Sequence, residues 1–182
     1  MLKHVLVTTL AISSLVACTK GESSTATTTS SSSSAAAPTA APAQAKTKKV
    51  DLAPLPLTLD MPSDEMAMTM DMSIGQNKSV SVSFEAVDAG INVSQPMEKS
   101  FAEVKSGNKH DKILFPFKRW VKEGDASAVE EFTSDGKTGY LALAWKQAGG
   151  KSYLCKSNGL SGLKSAEDAD KVLAVCDTLA AK

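Results

Sequence analysis

The chain has 182 residues, 20 Lys and Arg against 20 Asp and Glu, and a single arginine, Arg119. A near-neutral, arginine-poor chain lacks the positive field that phosphate backbones select, so nucleic-acid binding is set aside as a class. The sequence contains no G-x-S-x-G, no H-E-x-x-H and no glycine-rich phosphate loop, and no enzyme is expected.

The first element is a signal of the secretory type. Lys3 and His4 form a short basic start, and Val5 to Val16 carries no charge. That run is well short of the roughly 20 residues a spanning helix needs, and suits an export signal. It ends Leu15-Val16-Ala17-Cys18. These residues resemble the lipobox of bacterial lipoproteins. The resemblance implies cleavage before Cys18, a diacylglyceryl thioether on its sulfur and an acylated amine. Thr19 follows the cysteine in place of Asp, which by the sorting rules of such lipoproteins implies the outer membrane, on its periplasmic face. Two or three acyl chains anchor durably, since each buried CH₂ contributes about 0.8 kcal/mol.

Residues 1–17 are thus expected to be removed, and 18–49 to form a tether. Thr19 to Lys49 is rich in Ser, Thr and Ala, then in Ala and Pro, and closes on Lys46, Lys48 and Lys49. Such a stretch buries too little apolar surface to offset its backbone entropy, so no fixed structure is expected there. A coil of about 30 residues reaches roughly 30 Å. The three lysines could also touch anionic lipid or glycan, though three charges are few for that.

Residues 50–182 are enough for one core and are expected to fold as a single domain. Leu55, Leu57 and Leu59 alternate, which predicts a short strand. Met66, Met68, Met70, Met72 and Ile74 alternate with polar or small residues, which predicts a half-buried strand. Gly75-Gln76-Asn77 turns the chain into a second strand carrying Val80, Val82 and Phe84, and Ile91 and Val93 mark another. Pro96 is expected to open a helix from Met97 to Lys105, closed by Gly107. A short helix is favoured across Phe117 to Lys122, because Phe117, Trp120 and Val121 are spaced like one helical face. Residues 127–156 predict a β-meander, with turns at Ser134-Asp135-Gly136-Lys137 and Gly149-Gly150. The chain closes on a helix capped by Ser165 and Asp168, with Ala169, Val172, Leu173, Cys176 and Leu179 as its apolar stripe. The expected class is α+β: an antiparallel sheet of hairpin plus C-terminal meander, covered on one face by a mid-chain and a C-terminal helix. This order of elements, with the Leu-Pro-Leu start and the Ser100-Phe101-Ala102-Glu103-Val104 helix, resembles PsbP/Mog1-like domains. Such a resemblance implies a fold and transfers no function.

Chemistry concentrates in two places. Lipid on Cys18 leaves Cys155 and Cys176, which an oxidising compartment is expected to join in a disulfide pinning helix to sheet. The row Met66, Met68, Met70 and Met72 admits three readings. It is the core face of a strand, the lining of an adaptable apolar groove, or a Cu(I) or Ag(I) site built from soft thioethers, with His110 as a further ligand. His110 itself lies in a polar run read as an exposed loop. Glu130 and Glu131 are adjacent in a strand, so one of them is expected in solvent. The function expected is that of a membrane-anchored accessory module binding a protein or apolar ligand, with no cofactor beyond the lipid. The alternative is a soft-metal binder.

Overall fold

The computed structural model describes residues 46–84, 89–159 and 161–182. The expected export signal, Cys18 and most of the expected tether lie outside the described residues. Among the described residues are ten strands and two helices, an α+β fold.

β1 (Thr47–Asp51) pairs antiparallel with β2 (Leu57–Pro62), and β10 (Ala180–Ala181) pairs with the other side of β2. The folded domain therefore begins ahead of residue 50. Lys48 and Lys49, assigned above to the tether, belong to β1. Lys49 meets Asp60 at 3.2 Å, and the Lys48 ammonium donates to the Glu65 carbonyl. In β2 the alternation holds: Leu57, Leu59 and Met61 are buried and Thr58 and Asp60 only partly so.

The second sheet has seven strands in the order β3-β4-β5-β9-β8-β7-β6, and every neighbouring pair is antiparallel. Its strands are β3 (Ala67–Asp71), β4 (Ser79–Phe84), β5 (Ala89–Ser94), β6 (Phe117–Glu123), β7 (Ser127–Ser134), β8 (Lys137–Ala148) and β9 (Lys151–Asn158). The pairing of β5 with β9 fuses the early hairpin and the late meander into one surface. Asp135 and Gly136 both take positive φ, 51° and 73°, as do Gly149 and Gly150, at 55° and 74°. That conformation is what a two-residue hairpin turn matching the strand twist requires.

The segment Phe117–Glu123 is a strand, where a helix was expected. Two register shifts in its ladder with β7 slide the side chains along the strand, between Phe117 and Arg119 and between Trp120 and Lys122. The shifts turn a period of two into an apparent spacing of three and four. Helix α1 (Phe101–His110) also differs from expectation: it starts four residues later and runs through Gly107. Ser100 is its N-cap, accepting from the Glu103 amide at 3.3 Å, while the Glu103 carboxylate accepts from the Lys99 amide at 2.9 Å. These reciprocal bonds satisfy first-turn donors at Ser100, so Pro96 lies outside the helix. Helix α2 (Ala166–Asp177) has its expected cap, Ser165 Oγ accepting from the Asp168 amide at 3.1 Å.

The two helices cover opposite faces of the large sheet rather than one. Ala142 and Ala144 of β8 join Ala169, Val172 and Cys176 of α2, and the leucines of β2, in the main core. Leu143 between them points the other way, to Phe101 and Val104 of α1, with Ala128 and Leu154. A strand's side chains alternate across the sheet, so one strand feeds both cores. On the α2 side one complete row across the sheet reads Asp71, Val80, Val93, Cys155, Ala144 and Ser127, apolar everywhere but at its ends. The Cys155 and Cys176 sulfurs stand 1.99 Å apart, joining β9 to α2, with Cα atoms 5.9 Å apart.

Candidate functional site

The α1 side of the sheet changes character along its width. The row beginning at Met70 continues through Ser81, Asn92, Lys156, Leu143 and Ala128. Three zones follow: a methionine edge, a polar middle and an apolar part under α1. In the middle, Asn92 Nδ2 donates to Ser79 Oγ at 2.9 Å and Asn158 Nδ2 to Ser81 Oγ at 2.7 Å. Side-chain amides and hydroxyls satisfy each other across this zone, with Ser81 buried among them.

The methionine row does not form the core face. Met66, Met68, Met70 and Met72 are 67%, 70%, 62% and 50% exposed, and Ile74 is 81% exposed. The alternation in sequence does not become an alternation in burial: β3 is an edge strand, and Thr69 and Asp71 on its other face are exposed as well. Met61, by contrast, is fully buried in β2. Met68 faces Ser83 and Met70 faces Ser81 across the ladder, so the row has polar neighbours and no apolar cover among the described residues. His110 is not in a loop. It occupies the last turn of α1, where Nδ1 meets the Ser106 carbonyl at 2.6 Å, and no described contact joins it to β3.

A second candidate was not foreseen. Glu130 and Glu131 are both buried, on opposite faces of β7. β7 lies inside the sheet between β6 and β8, and the two side chains are 0% and 3% exposed. Glu131 is matched: Arg119 Nε donates to it at 2.6 Å and the Lys118 ammonium donates to its other oxygen. These hydrogen bonds, Lys118 first, hold its carboxyl below the ordinary glutamate value. Glu130 accepts from Asn108 Nδ2 at 2.8 Å through Oε2, while Oε1 has no partner. Burial raises its pKa, against the Asn108 bond and with help from the charge of Asp111. The indole nitrogen of Trp120, the residue paired with Glu130 across β6 and β7, is also buried without a partner.

Beside Glu130 a cleft of about 220 Å³ opens between α1 and the sheet. Asp111 lies at its rim, with its carboxylate accepting from the Ile113 and Leu114 amides at 2.8 and 3.0 Å. Phe115 closes one end, its ring edge-on to Phe132 at 4.9 Å. The Phe132 ring is itself fixed by two glycines: a Cβ on Gly139 or Gly162 would fall 2.4 or 2.6 Å from it. The signal that could have exposed Glu130 is its place in Val129-Glu130-Glu131-Phe132, an acid pair flanked by apolar residues in an inner strand of a meander.

Among the described residues no helix is long and apolar enough to cross a membrane, and no three His, Cys, Asp or Glu side chains gather as a metal site. Comparison with protein-family models, curated proteins and solved structures returns no match, so the site's own geometry carries the functional reading.

Proposed function

We propose that the chain is a lipid-anchored protein of the bacterial envelope, held at the periplasmic face of the outer membrane through Cys18. Its domain is a non-enzymatic module that binds an extended segment of a protein partner along β3. The methionine edge carries this reading. Natural edge strands are blunted by charge, proline or cover. β3 reads Ala-Met-Thr-Met-Asp, with its methionines in water and no second neighbour among the described residues. An added strand would find main-chain hydrogen-bonding groups and a row of flexible thioethers that adapt to its side chains. The likeness in element order to PsbP/Mog1-like domains adds a proposal about fold and none about the partner.

The test is site-specific photocrosslinking in intact envelopes. A crosslinker at Met70 should give one dominant adduct, mapped to an extended segment of one partner and lost in Met68→Asp/Met72→Asp. The same adducts from a crosslinker at exposed Lys137 would sink the reading.

The exposure of the row also favours a second reading, soft-metal binding. Alternate residues on one strand face stand about 6.5–7 Å apart, so two neighbours share one Cu(I) ion at most and a third ligand comes from elsewhere. Titration against a competing chelator should then show binding in the micromolar range or tighter that Met→Leu variants lose.

A further inference from the structure

The cleft under α1 contains a carboxylate that the fold itself leaves half satisfied. Glu130 is 0% exposed, yet one of its two oxygens has no donor. A carboxylate taken out of water is costly unless its lone pairs are matched. Its cross-strand neighbours are Trp120 and Leu141, and the Trp120 indole N–H, itself buried without a partner, does not bond to Oε1. The unmatched oxygen belongs to a side chain that lines a cavity of about 220 Å³. A dry cavity of about 150 Å³ accepts a benzene ring, and drug-sized ligands need 300 Å³ or more. The space therefore suits one ring, or a short chain, with a single polar head.

Charge selects the head. Three acids line the cleft, Glu98, Asp111 and Glu130, against one cation, Lys156, and the one described partner of the Glu130 carboxylate is the Asn108 amide. Asp111 keeps its charge, because the backbone amide of Ile113 first, and that of Leu114, hold its pKa down. The remaining walls are hydrocarbon: Val104, Leu114, Phe115, Leu143 and Leu154. No cysteine or histidine lines the space, so the donor set does not suit a transition metal.

We propose that this cleft binds a small organic amine, its ammonium donating to Glu130 Oε1 and its hydrocarbon body lying against Leu114, Phe115 and Leu143. The proposal is independent of the methionine edge and concerns a separate part of the same sheet face. An ammonium supplies the donor that Oε1 lacks, and its charge offsets the three acids. The burial that raises the pKa of Glu130 also strengthens its attraction for a cation once both are out of water.

The experiment is calorimetric titration of the full chain, in neutral detergent, with benzylamine, its neutral isostere benzyl alcohol, and phenylacetate. Benzylamine should saturate one site with a Kd below about 1 mM. Benzyl alcohol should bind at least about tenfold more weakly, and phenylacetate should not bind, because an unmatched buried charge discriminates strongly between partners. Glu130→Gln keeps the shape and removes the charge. It should weaken benzylamine about tenfold or more while the protein melts no lower than the parent. Lys156→Gln alters only an exposed rim residue and should tighten benzylamine roughly twofold by removing a like charge. Equal binding of amine and alcohol would mean a pocket for neutral molecules with a bridging water, and would overturn the proposal. So would benzylamine binding that survives Glu130→Gln, or no saturable binding at all.

Discussion

The two faces of the seven-stranded sheet are built to different ends. The face toward α2 is dry: its central row is Val80, Val93, Cys155 and Ala144, and the disulfide to Cys176 closes it. The face toward α1 is covered over only part of its width and carries, in sequence, bare methionines, a serine and asparagine ladder, and a cleft with an unmatched carboxylate. Stability resides in the first face. The second holds features that cost stability or leave apolar surface in water, and such features persist where binding depends on them.

Removing a support of the dry face should have the largest effect. In Cys155→Ala/Cys176→Ala the closed loop, with a sequence separation of 21, no longer restricts the unfolded chain, and the loss should be about 3 kcal/mol. Urea unfolding checks this, with a slope that rises because the unlinked denatured chain exposes more surface. A loss under about 1 kcal/mol would show that α2 docks without its covalent tie and would weaken the contrast between the faces.

Glu130 and Glu131 test the contrast within one strand, with opposite signs. Lys118 and Arg119 lower the folded-state pKa of Glu131. Its contribution is therefore present above the ordinary glutamate value and is lost as pH falls through the lowered one. Burial raises the folded-state pKa of Glu130, so the native state loses stability as pH rises from the ordinary value through the raised one. At neutral pH, Glu131→Gln should lower the melting temperature and Glu130→Gln should raise it. Both differences should shrink on acidification. Melting curves across the acidic range measure this pair, and a shared sign at neutral pH would erase the distinction.

The smallest effect is expected at the methionine edge. Met68→Ser/Met70→Ser/Met72→Ser removes side chains already in water, so each change should stay within about 0.5 kcal/mol. Stability held with partner binding lost would sharpen the division of labour. A large loss of stability would mean that the row packs against something within the chain.

Much of the fold was legible because its signals are local. Both glycine-bearing hairpin turns and the Ser165 cap declare themselves in a few residues, and of the alternating Leu55, Leu57 and Leu59 the last two lie buried in β2. The features that escaped depend on distant neighbours. Phe117–Glu123 imitates a helix because bulges set by its pairing with β7 shift its side chains. The methionine alternation correctly marks a strand, but not its burial: β3 ends up at the sheet edge with Thr69 and Asp71 exposed as well as the methionines. The burial of both Glu130 and Glu131 follows from β7 having strands on either side and layers above and below it. For the same reason the candidate site was half visible: the methionines could be seen, and the carboxylate that most demands a ligand could not.

The exposure of the methionine row gives the domain a chemical asymmetry as well. Sulfur that water reaches is sulfur that peroxide reaches, and Met66, Met68, Met70 and Met72 lie open while Met61 is sealed at 0% exposure. Oxidants would turn the four outer thioethers into polar sulfoxides and leave the fold standing, so damage would register on the edge of β3 before it touched the core.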